Sequence, residues 1–249
     1  MIYIKSKEDI EGIKLACAVW KKVKHELIKA TKPGVSTKKL DEIAANTMYK
    51  NNATPSFYKY EGFPGFICIS VNQELIHGIA SDYVLKKQDI VTFDIGVTYH
   101  KYICDAAFSV VLDKNNTLAN NLHHATLACL LAGINQVKPN NYTGDISNAI
   151  EQTAYAHGYQ VIKDYGGHGC GLKEHEDPII LNYGQAHSGI KLVSGMVLCI
   201  EPMLMIGSDQ YVVDPKNNWT VSSANNELTC HEEHMVLVTN TGHEVLTAN

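Results

Sequence analysis

Residues 91–110 read VTFDIGVTYHKYICDAAFSV, two runs rich in β-branched and aromatic residues around a polar turn. Runs of that kind are strand signals, and two so close together read as a β-hairpin. Each carries one aspartate in its apolar body, Asp94 and Asp105. With the turn centred between Tyr99 and His100, the two acids face each other directly across the ladder. Their Cβ atoms would then be roughly 5 Å apart, where like charges destabilise a strand pair. A hairpin of this kind needs cations to relieve its repulsion.

The 249 residues suffice for one large core, and 45% hydrophobic with 19% charged residues describes an ordinary globular protein. A net charge of −5 and a pI near 6.2 argue against a nucleic-acid or anionic-membrane partner. The start MIYIKSKEDI has no apolar signal core, and no apolar run reaches the roughly 18 residues a membrane span needs. The longest candidate, 195–207, is interrupted by Glu201 and Pro202. Seven cysteines with no CxxC pair suit small core residues in a reducing cytosol better than a disulfide framework or zinc ribbon.

Ser6 reads as an N-cap before an apolar stripe at 10, 13, 14, 17, 20 and 27, stopped by Lys32-Pro33-Gly34. A second helix is expected from Thr37 to about Asn51. Strand-like runs follow at 66–72, 89–97 and 102–112, then helical patterns over 117–137 and after Thr143. KPGVSTKKLDEIA at 32–44 lines up with KPNNYTGDISNAI at 138–150, an offset of 106. VTFDIG at 91–96 is echoed by VLCIEP at 197–202, which sets Asp94 over Glu201 at an offset of 107. Two matches at nearly one offset favour a duplicated α+β unit, roughly 6–112 and 117–240, within a single domain spanning 1–249. Two such halves would close their sheets around a central site.

Four carboxylates thus sit inside apolar runs: Asp94, Asp105, Glu201 and Glu233. One such acid alone is best read as an edge-strand residue facing water; four together are not, because buried acids need a partner or a metal. No Lys lies within three residues of Glu201 or Glu233. DYGGHGCGLKEHEDP at 164–178 offers His168 in a glycine-rich turn and His175 further on, and His77 precedes a glycine. Oxygen donors with one imidazole suit Mn, Fe, Co or Zn, and two divalent ions would cancel four negative charges. Two metals roughly 4 Å apart are a device for activating water. His231 and His234 are three apart on a strand-like run, so they do not form the H-E-x-x-H helix motif of zincins.

SVNQELIHGI, FDIGV followed by DAAFSV, GGHGCG followed by HEDP, CIEPM, and EEHMVLVTNTGHEVLT occur in this order along nearly the whole chain. Together they closely resemble the type I methionine aminopeptidases of the pita-bread fold, in the short bacterial-style form. The resemblance implies an α+β fold with antiparallel sheets around a central dinuclear metal site and helices outside. It assigns Asp94, Asp105, His168, Glu201 and Glu233 as ligands, with Asp105 and Glu233 bridging. His77 and His175 would assist at the scissile amide, and Glu201 would shuttle the proton of the attacking water. Tyr60, Phe63, Cys68 and Trp219 match the pocket for the methionine side chain. Three positions depart from the pattern: Glu174 replaces an aromatic, Cys104 a glycine, and Phe57 a small residue or cysteine.

The implied activity is removal of the initiator methionine from nascent chains when the second residue is small. The enzyme would act in the cytoplasm as a monomer, probing chains near the ribosome. The alternatives are a proline-specific peptidase of the same fold and a non-catalytic peptide-binding module. Only about 75 residues precede His77, short for the extra domain of the former, and all five ligands are present, unlike the latter.

Overall fold

Ser6 does cap the first helix. In the computed structural model, which describes residues 1–248, its hydroxyl accepts from the Asp9 N–H while the Asp9 carboxylate accepts from the Ser6 N–H. This capping box opens helix α1 (Lys7–Ala30), and Ser36 caps α2 (Thr37–Lys50). The second pair is α3 (Thr117–Ile134) and α4 (Thr143–Ala156). Helix α3 stops at Ile134 rather than at 137, because Gln136 and Val137 bond back to the Gly133 and Ile134 carbonyls in a tightened last turn.

Two larger sheets form the body. In one, strand Ile90–Tyr99 pairs with Tyr102–Val111 on one side and with Cys68–Val71 and Thr54–Pro55 on the other. The other runs, edge to edge, His243–Val245, His234–Val238, Val197–Ile200, Gly166–Gly169 and Glu176–Leu181. Two three-stranded sheets complete the body, one of them pairing Met203–Met205 with Thr229–His231. Every strand pair in the ladders is antiparallel.

The alternation of the strands decides what faces the site. Val91, Phe93, Ile95 and Val97 pack into a core with Trp20, Leu27 and Leu40 of α1 and α2, as do Cys104, Ala106 and Phe108. Period 2 therefore turns Asp94 and Asp105 to the opposite face. In the five-stranded sheet, Cys199, Met235 and Leu237 join that same core. Leu198, Ile200, Val236 and Val238 instead pack against Leu122, Cys129 and Ile150 of α3 and α4. The sheet is thus apolar on both faces, and Glu201 and Glu233 lie where its strands run out.

The hairpin register differs from the expected one. Tyr99 pairs with Tyr102, so the turn is His100–Lys101 and Asp94 lies opposite Ala107, with Asp105 opposite Gly96. The two acids are diagonal neighbours on one face, not direct partners. His100 adopts φ 54°, a left-handed turn conformation without the glycine or asparagine that would have signalled it. The repulsion survives this shift, because diagonal side chains on one face remain within reach.

Candidate metal centre and active site

Each acid of the cage arrives on a separate element. Asp94 and Asp105 come from the hairpin, and Glu201 follows the Val197–Ile200 strand. Glu233 precedes His234–Val238, and its N–H donates to the Ala107 carbonyl at 3.0 Å, tying it to the hairpin. His168 lies on Gly166–Gly169, where a register irregularity between Gly167 and Gly169 re-aims the side chain. Glycine is required beside it: a Cβ at Gly167 would stand 2.1 Å from the Cys199 carbonyl oxygen.

The structure brings all five predicted ligands to one cavity of about 530 Å³. His168 Nε2 is 3.5 Å from Glu201 Oε1 and 3.7 Å from Asp105 Oδ2, and its Nδ1 contacts the Gly169 carbonyl at 3.0 Å. One donor atom each from Asp105, His168, Cys199 and Glu233 lies within 4.8 Å of the others. Burial pushes the Cys199 thiol well up, so it stays protonated, and it points to the Asp105 carbonyl at 3.8 Å. Among the described residues, no lysine pairs with any of the four acids.

Loss of water and mutual repulsion act together on these groups. Burial, then Asp105 and Glu201, hold Asp94 well above the carboxylate range. Burial raises Asp105 to about 7, with Asp94 close enough to share its proton. Glu201 is raised by burial and by Asp105, and Glu233 by burial, Asp105 and Glu201. Asp105 Oδ1 and Glu233 Oε1 are buried without a partner. His168 is pushed down to about 3 by burial and then by His175, which keeps its imidazole neutral and able to ligate. Unpartnered oxygens, acids that no lysine pairs with among the described residues, and a neutral imidazole together fit a divalent-cation site.

The two other predicted histidines flank the cage. His77 sits at φ 57°, a costly conformation for a non-glycine residue, and burial and then His175 lower its pKa to about 4. His175 lies at the exposed rim, its ring 4.4 Å from that of His168 and its Nδ1 3.2 Å from the Tyr60 hydroxyl. At the far end, Phe63 and Cys68 are buried and Trp219 partly so, with Trp219 edge-on to Phe63 at 5.2 Å and to His77 at 6.1 Å. Tyr60 lines the same cavity.

The three departures from the family pattern separate here. Phe57 lines the cavity beside Phe63 and Cys68, restoring an aromatic that the Glu174 position lacks. Glu174 is buried behind that wall, where its carboxyl accepts from the Ser56 hydroxyl at 3.2 Å. Cys104 faces α1 within the first core and does not line the cavity. One further cavity residue, weighed in the sequence only against the zincin motif, carries metal-ligating chemistry. His231 is 1% exposed with both ring nitrogens unpartnered, beside Glu201 and Glu233. Only its two-residue spacing from Glu233 could have flagged it.

Fold and site together define a metal-dependent peptide hydrolase, and the model of metallopeptidase family M24 matches residues 11–240. The chain belongs to that family and, within it, to the methionine aminopeptidases. The methionine aminopeptidase of Mycoplasma genitalium is 41% identical over 248 residues, covering 99% of this chain and 100% of the relative. Methionine aminopeptidase 1 of Bacillus subtilis is 39% identical, covering 99% of both. The crystal structure of methionine aminopeptidase from Rickettsia prowazekii superposes with a TM-score of 0.97 at 33% identity, covering 100% of both chains. The prolidase from Pyrococcus furiosus shares the fold alone, with a TM-score of 0.81 at 24% identity and 65% of its chain covered. The family is one of metallopeptidases, so the chain is a hydrolase that works with divalent metal ions.

Proposed function

We propose that this chain removes the N-terminal methionine from newly made polypeptides whose second residue is small, using two divalent ions among Co, Mn, Fe and Zn. The observation that carries the reading is the convergence of four carboxylates, three buried and Asp94 partly so, with no lysine partner among the described residues, beside an apolar aromatic slot. Asp94, Asp105, His168, Glu201 and Glu233 would hold the ions, and two divalent charges would cancel the four acids. Bound there, the metals supply Lewis acidity and an activated water.

The chain's own groups do the rest. Phe57, Phe63, Cys68 and Trp219 form a slot suited to an unbranched thioether, which packs well against rings. His77, held neutral by burial, can donate to or accept from the scissile amide without carrying charge into the site. His175, steadied by Tyr60 at the cavity rim, would serve as the donor to a developing oxyanion. Glu201, beside the water the ions would activate, would receive a proton from it and pass it to the leaving amine.

Among the described residues no helix is long and apolar enough to cross a membrane. The reading places the enzyme in the cytoplasm, as a monomer meeting chains near the ribosome. Metal-free and metal-loaded protein assayed on Met-Ala-Ser should show metal-dependent release of methionine, with little turnover of Pro-containing peptides. No release with Mn, Fe, Co and Zn each tried would sink the reading.

A further inference from the structure

We propose that His231 is an additional metal ligand, giving the ion held by His168, Glu201 and Glu233 a second imidazole. The proposal rests on reading the cage as a metal centre. His231 ends the Thr229–His231 strand and pairs with Met203 across the ladder. Glu201 lies two positions before Met203 and Glu233 two positions after His231, so this one pairing assembles all three donors. The Ser109 hydroxyl donates to the His231 carbonyl at 2.9 Å and anchors the segment to the hairpin.

The side chain is aimed into the cage and has nothing else to do there. Both ring nitrogens are buried without a hydrogen-bond partner, an arrangement that is costly unless something fills it. Nε2 stands 3.6 Å from Glu201 Oε2 and 3.9 Å from Glu233 Oε2. Both separations are too long for hydrogen bonds. They match those of His168, whose Nε2 is 3.5 Å from Glu201 Oε1 and 3.7 Å from Asp105 Oδ2. Two donors each about 2.0–2.2 Å from one ion stand roughly 3–4 Å apart, which both imidazoles satisfy. The two rings therefore approach opposite oxygens of the same Glu201 carboxylate. A second nitrogen donor also tilts the site away from Mn and toward Co, Fe or Zn, which imidazole suits better.

The full-length chain, stripped and reloaded with Co(II), tests this. The variants are His231→Gln and His231→Ala, with His124→Ala, an exposed residue of α3, as control. Removing the imidazole should alter the visible absorption of bound Co(II) and weaken Co(II) binding about 10-fold to 100-fold or more, while Mn(II) binding falls less. The control should superpose on the wild type. Absorption of both His231 variants identical to wild type overturns the assignment, whatever happens to turnover. His231→Gln keeps a polar side chain at the position and decides the matter if the alanine variant does not fold. Failure of the wild type itself to take up Co(II), Mn(II), Fe(II) or Zn(II) would instead remove the metal-centre reading, and this proposal with it.

Discussion

Glu232 and Glu233 are neighbours in the chain and both are buried, yet they live in opposite electrostatic surroundings. Glu232 Oε1 accepts from the Ser109 N–H at 2.7 Å and meets His123 Nε2 at 2.9 Å. Glu233 turns toward Asp105 and Glu201, and its Oε1 has no partner at all. The contrast extends through the molecule. Glu176 is paired with Lys5, both side chains essentially inaccessible, and Asp41 accepts from the Phe66 and Ile67 N–H groups at 3.0 and 2.9 Å. Acids that serve the fold bring their partners within the chain, because an unpaired buried carboxylate costs several kcal/mol. Acids of the centre leave the partner to be supplied from outside.

The hardest test of that contrast is deletion on the unpaired side. His168→Ala, Glu201→Ala and Glu233→Ala should each abolish methionine release, with metal content by elemental analysis falling below wild type. Retained turnover with full metal content in any of them would end the assignment of that residue.

On the paired side the cost should fall on stability. Lys5→Ala strands Glu176 without its cation and should lower unfolding free energy by roughly 3–5 kcal/mol, read from urea denaturation. Glu176 also accepts from the Leu172 and Lys173 N–H groups, so the loop that carries His175 should loosen with it.

The centre also makes stability depend on pH, in a direction opposite to that of an ordinary ion pair. Asp94, Glu201 and Glu233 are raised well above the usual range and Asp105 to about 7, in each case first by burial. Between the unfolded carboxylate values near 4 and these higher ones, the metal-free folded chain binds more protons than the unfolded chain. Its stability is therefore fully present below about pH 4 as far as these groups go, and falls as pH rises toward 7. Bound cations replace those protons, so saturating metal should flatten the slope and raise the thermal midpoint. A chelated protein that gained stability from about pH 5 to pH 8 would contradict the shared-proton picture.

Smaller effects separate holding metal from using it. His175→Ala should lower kcat roughly 100-fold, as expected for a lost transition-state donor, with metal content unchanged. Metal loss in that variant would refute its role. Glu232→Gln should cost about 1–3 kcal/mol, the range for one weakened charge-assisted bond, again with metal retained.

Much of this was legible in the sequence, for identifiable reasons. The helices follow from caps and apolar stripes, and the acids stood out because Asp94, Asp105 and Glu201 interrupt runs that are otherwise mostly apolar. The register was misplaced because His100 makes a left-handed turn with no glycine or asparagine to mark it. Glu174, at a position where the family pattern has an aromatic, packs behind the pocket wall against Ser56, while Phe57 supplies the ring.

The sequence by itself determined which residues would be too costly to bury alone, since that depends on side-chain chemistry and the period of each strand. It also determined where most of the helices begin and end, because capping is local. Only the tertiary structure decided which acids find partners and which do not. Glu232 and Glu233 have the same chemistry, and their surroundings differ only because one turns toward Ser109 and His123 and the other toward Asp105 and Glu201. Likewise His231 enters the cage through one strand pairing with Met203, set by how the sheets close and by no local preference of the chain.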